Sequence, residues 1–189
     1  MRHYFVFILK EAHTMSMNNL GPGKNPPEHF NVVIEIPAHS TPVKYEVDKE
    51  TGLLTVDRFL GTAMHYPANY GYVPKTLAGD GDPVDVLVIT PFPLVHGCVI
   101  AARTVGVLKM QDDAGEDYKL IAVPVSKLHP ASDKIQTLDD VCPQLRAQIQ
   151  HFFEHYKDLE KGKWVKILGW GDAAEAKKEI VDGIANYKE

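Results

Sequence analysis

The stretch DGDPVDVLVIT, residues 80–90, joins a short acidic turn to a run of apolar, mostly β-branched residues. Such a run between Gly and Pro residues is typical of a strand that is buried on both faces. We therefore predict a buried strand over Val84–Thr90 that ends before Pro91. Gly81 permits a tight turn ahead of this strand, and Pro83 stiffens that turn.

Further strands are predicted on both sides of this segment. They are apolar or alternating runs between turn residues, and they span residues 31–36, 44–47, 53–59, 98–108, 118–123 and 163–168. The second and third runs form a hairpin with Gly52 in its turn. Residues 65–75 carry Pro67, Gly71 and Pro74 among three tyrosines, so we predict an aromatic-rich loop there.

Helices are predicted only from Thr137 onward, after all of these strands except the last. Thr137 opens a long helix that Gly162 ends, because apolar residues recur between them at spacings of three and four, namely Leu145, Ile149, Phe152, Tyr156 and Leu159. Asp172 caps a second, Ala-rich helix. Because strands come first and helices last, the predicted class is α+β, a small closed β-barrel with flanking helices.

The chain has 189 residues, which is enough for one domain with its own core. We predict a single catalytic domain over residues 18–189. Residues 1–17 are expected to form a disordered or non-native leader, because the apolar run Tyr4–Leu9 is short for a signal peptide. The sequence has no apolar window of transmembrane length, so no membrane partner is expected.

The net charge and the cysteine content argue against several classes of function, among them general nucleic-acid binding. The net charge is -5, whereas general nucleic-acid binders are usually basic. Cys98 and Cys142 are far apart and have no second cysteine beside them, which excludes a CxxC motif and a zinc ribbon. We interpret both as reduced, buried thiols of a cytoplasmic protein.

The acidic turn places Asp80, Asp82 and Asp85 close together at the start of the buried strand. Hard cations such as Mg²⁺ prefer carboxylate, water and phosphate oxygens, so this turn is a candidate metal site. An ordinary solvated turn is the alternative interpretation. An EF-hand is excluded because Asp85 stands where that loop needs Gly, and Pro91 stands where it needs Glu.

A second acidic run lies between two predicted strands and contains Asp112, Asp113, Glu116 and Asp117. Alone it is typical of a hairpin turn. If both acidic turns converge at one end of a barrel, however, their carboxylates need more than one divalent cation. This arrangement indicates two-metal hydrolysis, in which the cations activate water and stabilise the leaving oxygen.

Polar residues also lie on the predicted strands and on the long helix: Glu35, Lys44, Glu46, Arg58, Tyr156 and Lys157. They form either a solvent-exposed face or an inward face that binds phosphate oxygens, for which Arg and Lys are suited. The helix also carries HFFEH at residues 151–155, which matches a zinc-peptidase pattern. Both of its histidines fall beside the apolar stripe, so we interpret them as partly exposed bystanders.

Several motifs together resemble the soluble inorganic pyrophosphatases of the bacterial type. The family signature DxDPxD is met at residues 80–85. Other matching segments are VVIEIP (32–37), KYE (44–46), VDRF (56–59), YPANYGY (66–72), VGVLKM (105–110) and HFFEHYKDLEKGKWV (151–165). The resemblance covers residues 20–180 and implies an OB-type barrel, Mg²⁺-dependent hydrolysis of pyrophosphate to two phosphates, several Mg²⁺ ions per site and a homo-oligomer, commonly a hexamer.

The resemblance also implies roles for individual residues. The metal ligands would be Asp80, Asp85, Asp112 and Asp117, with Glu35 nearby. Asp82 would orient and deprotonate the attacking water. The phosphates would be held by Lys44, Arg58, Tyr156 and Lys157, and the supporting residues would be Glu46, Tyr66, Tyr70 and Lys119. Asp113 departs from the family pattern, which commonly has Glu there, and its shorter side chain would reach less far into the outer metal shell. Two alternatives remain, a hydrolase of another phosphoanhydride and an inactive cation-binding module.

Overall fold

The structure is a computed structural model that describes residues 19–188, so the predicted leader lies outside the described residues. In chain order the elements are β1 (Phe30–Ile36), β2 (Val43–Val47), β3 (Leu54–Phe59), β4 (Asn69–Tyr72), β5 (Asp85–Val88), β6 (Val99–Asp112), β7 (Gly115–Glu116), β8 (Lys119–Pro124), α1 (Pro143–His155), β9 (Val165–Gly171) and α2 (Ala173–Asn186). The α+β class is confirmed. Among the described residues, no helix is both long and apolar enough to cross a membrane.

Most strands belong to one seven-stranded mixed sheet. Its strand order is β1-β4-β5-β8-β6-β7, and β9 pairs with β6. The pair β5–β8 is parallel and the other pairs are antiparallel. Because β1 pairs with both β4 and β6, the path β1-β4-β5-β8-β6 returns to its first strand. The buried strand that we predicted from residues 84–90 is β5, which is one of the strands of this closed path and pairs with β4 and β8.

The hairpin β2–β3 forms a separate two-stranded sheet, as the sequence predicts. Its turn is closed by Asp48, whose Oδ1 accepts hydrogen bonds from the backbone N and the hydroxyl of Thr51, at 2.7 and 2.6 Å. Gly52 has a φ of 69°, a left-handed conformation that Gly adopts without a steric penalty. The hairpin therefore has a well-fixed tip, which matters for the cavity below.

The predicted aromatic-rich loop at residues 65–75 is wrong in its middle, where β4 pairs with β1 and β5. Gly71 makes this possible. A Cβ at that position would lie 1.9 Å from the carbonyl oxygen of Val33 on β1, far inside van der Waals contact. The glycine that we interpreted as a loop signal thus permits two strands to approach closely.

The long helix predicted from Thr137 to Gly162 is also wrong at both ends. Residues Leu138–Asp140 form a 3-10 helix with a Thr137–Asp140 capping box, and α1 begins only at Pro143. A residue before proline is disfavoured in helical conformation, and the backbone of Cys142 is non-helical, with φ -45° and ψ 123°. Its thiol is exposed, contrary to the prediction of a buried one.

The apolar stripe of this helix is confirmed in its middle and wrong at its end. Ile149, Phe152 and Tyr156 pack in the larger of two core clusters. Leu159 lies beyond the helix and is 75% exposed. The second helix follows the prediction, because Oδ1 of Asp172 accepts hydrogen bonds from the backbone N of Ala174 and Glu175, each at 2.9 Å. Ala176 and Ile180 of α2 are buried in the other core cluster.

Candidate active site

A cavity of about 510 Å³ opens between the β2–β3 hairpin, the acidic turn and the C-terminal end of α1. Every residue predicted for the site lines it: Glu35, Lys44, Glu46, Arg58, Tyr66, Tyr70, Asp80, Asp82, Asp85, Asp112, Asp117, Lys119, Tyr156 and Lys157. Their sequence positions span more than half of the chain. The fold therefore brings the two acidic turns and the scattered polar residues to one place.

Different elements supply the carboxylates of the cavity. Asp80 and Asp82 come from the turn between β4 and β5, and Asp85 is the first residue of β5. Asp112 ends β6, and Asp117 lies just before β8. The parallel pairing of β5 with β8 sets Asp85 opposite Lys119, which is why the two acidic turns converge.

Lys119 lies at the buried centre of these carboxylates. Its Nζ forms ion pairs with both Asp85 and Asp117, and its side chain is only 4% exposed. Burial alone would lower the pKa of Lys119, but the two adjacent carboxylates outweigh it and hold that pKa well above its usual value. Burial raises the pKa of Asp85 more than Lys119 offsets. One ammonium shared by two carboxylates leaves negative charge in excess.

Two further carboxylates of the cavity, Glu35 and Asp80, also have raised pKa values. Burial is the main cause that raises the pKa of Glu35 to about 8, although its Oε1 accepts a hydrogen bond from the backbone N of Val47 at 2.7 Å. Burial likewise raises the pKa of Asp80 to about 6, with Asp117 and Asp85 adding to the shift. These groups favour a nearby cation, because a positive charge restores their ionised form.

Asp112 has its own partner. Its Oδ2 accepts a hydrogen bond from Nζ of Lys157 at 2.6 Å, and its Oδ1 accepts one from the backbone N of Ala114 at 2.7 Å. Burial opposes ionisation, but these two donors lower the pKa of Asp112 below its usual value. Asp112 is therefore held as a carboxylate beside a lysine that lines the same cavity.

Basic side chains line the wall that the hairpin forms. Nζ of Lys44 contacts Glu46 and lies 3.4 Å from Oδ2 of Asp57. Arg58 donates to Asp57 at 2.7 Å and to Glu160 at 3.2 Å, so its guanidinium is tied to both the hairpin and the segment after α1. The pairing of Lys44 with Arg58 across the hairpin puts both cations at the same edge.

An aromatic wall separates the cavity from the core. The rings of Tyr66 and Tyr70 lie 5.1 Å apart, and Tyr156 stacks on Phe152 at 5.3 Å. Burial raises the pKa of all three tyrosines, so each stays a neutral phenol. The phenol of Tyr70 is hydrogen-bonded to Asp85. Tyr70 thus contacts a carboxylate as a neutral phenol, and the charged side chains of the site are Asp, Glu, Lys and Arg.

The donor set of the cavity fits a hard divalent cation. Its lining within residues 19–188 contains carboxylates but no histidine and no cysteine. Across the same described residues, no three His, Cys, Asp or Glu side chains already stand together as a ready metal site. Lys119 pairs with Asp85 and Asp117, and Lys157 pairs with Asp112, so each of these three carboxylates already has an ammonium partner.

The sequence did not predict six polar residues of the lining, namely Lys49, Tyr72, Lys75, Thr76, Lys163 and Tyr187. Lysines in turns usually face solvent, and nothing in the local sequence shows that these turns border a cavity. Lys163 forms an ion pair with Asp113. Asp113 itself does not line the cavity.

The zinc-peptidase pattern on α1 is a coincidence of helix spacing. The rings of His151 and His155 lie 4.6 Å apart, and Nδ1 of His155 contacts Oδ2 of Asp158 at 2.8 Å. Neither histidine lines the cavity. No His, Cys, Asp or Glu group in the described part of the chain gives them a third metal ligand.

Comparison with known proteins gives one consistent answer. A family model described as inorganic pyrophosphatase matches residues 32–188. The inorganic pyrophosphatase of Ralstonia nicotianae is 68% identical over 92% of this chain and 99% of its own length. That of Escherichia coli K12 is 63% identical over the same shares. A solved inorganic pyrophosphatase from Coxiella burnetii superposes with a TM-score of 0.86 at 54% identity, over 89% of this chain and 100% of its own. The chain belongs to the inorganic pyrophosphatase family.

Proposed function

We propose that this cavity hydrolyses inorganic pyrophosphate to two phosphates and depends on Mg²⁺. The observation that carries the proposal is the composition of the lining, which holds as many carboxylates as basic side chains in one place. Carboxylates bind divalent cations, and lysine and arginine bind phosphate oxygens. Pyrophosphate in complex with Mg²⁺ matches this lining, because the cations would contact the carboxylates and the phosphate oxygens would contact the lysines and arginine. The family membership supports the same reaction.

Asp80, Asp85, Asp112 and Asp117 would hold the cations, with Glu35 beside them. When bound, Mg²⁺ would neutralise charge on pyrophosphate and make a water molecule more acidic. Asp82 is the proposed general base, because it lines the cavity without belonging to the Lys119 or Lys157 ion pairs. It would accept a proton from the attacking water as the phosphorus–oxygen bond forms.

Basic residues on two walls would hold the phosphates. Lys44 and Arg58 approach from the hairpin, and Lys157 and the phenol of Tyr156 approach from the end of α1. As the bridging oxygen leaves with the second phosphate, negative charge grows on it, and these cations stabilise that charge. Glu46, Tyr66, Tyr70 and Lys119 would support the charged groups through the contacts described above.

Removal of either hairpin cation tests this assignment. We expect Lys44→Ala and Arg58→Ala each to lower kcat/KM for pyrophosphate by roughly 10- to 100-fold, because each deletes a charge that faces phosphate. Steady-state phosphate release measures the effect. Lys178→Ala is the control, since its exposed ion pair with Asp182 on α2 lies away from the cavity. Wild-type kcat/KM in both hairpin variants would contradict the proposed phosphate contacts.

A substrate series separates the proposed reaction from its closest alternative. Phosphate release is compared for pyrophosphate, tripolyphosphate and a nucleoside triphosphate at equal Mg²⁺. We expect pyrophosphate to give the highest kcat/KM. A higher value for another phosphoanhydride would favour the alternative, and no release from any of them would indicate an inactive cation-binding module.

We propose three further properties that the family membership supports. The closed path of strand pairings β1-β4-β5-β8-β6 supports a closed OB-type barrel.

Large apolar side chains that remain exposed support a homo-oligomer, with Phe59 at 77% and Phe92 at 75% exposed. We propose a hexamer, which light scattering would detect. A cytoplasmic location agrees with two free cysteines.

A further inference from the structure

Lys49 extends from the tip of the β2–β3 hairpin to the acidic turn on the opposite side of the cavity mouth. Its Nζ donates a hydrogen bond to Oδ1 of Asp82 at 2.6 Å and lies 3.3 Å from the carbonyl oxygen of Gly81. The hairpin is a separate sheet, whereas the acidic turn leads directly into β5 of the main sheet. Lys49 therefore connects the wall that carries Lys44 and Arg58 to the wall that carries Asp82.

The backbone that presents Lys49 is well fixed. The side chain of the preceding Asp48 accepts two hydrogen bonds from Thr51, and the backbone N of Gly52 donates to the carbonyl oxygen of Asp48 at 2.8 Å. These bonds close the turn on both sides of Lys49. They fix the backbone from which Lys49 reaches across, and the group that it reaches is a carboxylate on an exposed turn.

We propose that Lys49 is a positioning residue that holds the Asp82 carboxylate over the cavity. This inference rests on the proposed function, in which Asp82 is the general base. An ammonium that engages Oδ1 restricts rotation of the carboxylate and leaves Oδ2 oriented for a water molecule. The side chains of Lys49 and Asp82 are 63% and 62% exposed, so their pair adds little to folding stability. Its effect is expected in catalysis.

The first test compares Lys49→Met, which keeps the length of the side chain, with Lys49→Arg, which keeps its charge. We expect Lys49→Met to lower kcat for pyrophosphate roughly fivefold at saturating Mg²⁺, with KM changed by less than about twofold. Lys49→Arg should recover most of this loss. Both variants should keep the wild-type melting temperature. Lys178→Met removes an exposed lysine from another ion pair and should retain the wild-type kcat.

The second test repeats Lys49→Met in an Asp82→Asn background. Because Lys49 is proposed to act through Asp82, it should cause no further loss of kcat there. The inference is overturned by a wild-type kcat in Lys49→Met, by an equal loss in both backgrounds, or by a change in KM alone, which would make Lys49 a substrate contact.

The failure of this inference differs from the failure of the proposed function. If the wild-type chain releases no phosphate from pyrophosphate, the proposed function is wrong. If Asp82→Asn retains the wild-type kcat, the general base is wrongly assigned and the positioning role is overturned with it. If Asp82→Asn is impaired and Lys49→Met is not, only the positioning role is wrong.

Discussion

Asp82→Asn should lower kcat for pyrophosphate by about 10²- to 10⁴-fold, the range typical of a lost general base. The amide keeps the shape of the side chain and can still accept a hydrogen bond from Lys49, but it cannot take a proton from water. Because the side chain is 62% exposed, the folded state should be little affected. Steady-state kinetics at saturating Mg²⁺ and substrate, together with thermal unfolding, measure both effects.

The matched control for this variant is Asp139→Asn. Asp139 is also an exposed aspartate in an ion pair, with Arg146, but it lies outside the cavity. Its kcat should equal that of the wild type. If Asp82→Asn also keeps the wild-type kcat, another group accepts the proton and the base has been wrongly assigned.

Gly71→Ala should destabilise the fold by about 3 kcal/mol or more, near the upper end of what overpacking costs. The added Cβ would lie 1.9 Å from the carbonyl oxygen of Val33, and strand backbone cannot rotate aside as a side chain can. The strands β1 and β4 would have to separate. For a chain of this length we expect the melting temperature to fall by about 6–12 °C.

Gly21→Ala is the control for this prediction, because a Cβ built at Gly21 has no atom of residues 19–188 within 4 Å, apart from Gly21 itself and its chain neighbours. Its stability should stay within about 1 kcal/mol of the wild type. Activity should fall in Gly71→Ala as well, since the flanking Tyr70 and Tyr72 both line the cavity. A wild-type melting temperature would mean that β1 and β4 tolerate a wider separation than their hydrogen bonds suggest.

The sequence predicted correctly those elements that are determined by neighbouring residues, such as a strand between turn residues or a helix with a capping residue. The strand β5 has an apolar run between turn residues, and α2 has an aspartate cap followed by good helix formers. The failures have equally physical causes. Gly71 has the composition of a loop, but its role depends on Val33, which is distant in sequence. The predicted helix started too early, because an apolar stripe indicates the period of a helix but not its first residue. In the structure α1 begins at Pro143.

The candidate site was predictable through its motifs rather than through its contacts. The acidic turns indicated a metal site, and the resemblance of the motifs to a known family supplied the individual residues, Tyr66, Tyr70 and Lys119 among them. Their convergence depends on the parallel register of β5 with β8, which no sequence period encodes. The sharing of Lys119 by Asp85 and Asp117 follows from that register. Lys49 could not be found from sequence, since a lysine in a hairpin turn is typical of any solvated surface.

We propose above all that one cavity of this protein hydrolyses pyrophosphate with divalent cations. The most direct test is phosphate release from pyrophosphate by the full chain with excess Mg²⁺, with excess EDTA, and with Mg²⁺ restored after EDTA. We expect release with Mg²⁺, loss of at least about 99% of it in EDTA, and recovery on restoration, because the carboxylates of the cavity would repel an uncompensated polyanion. Undiminished release in EDTA would contradict the claim.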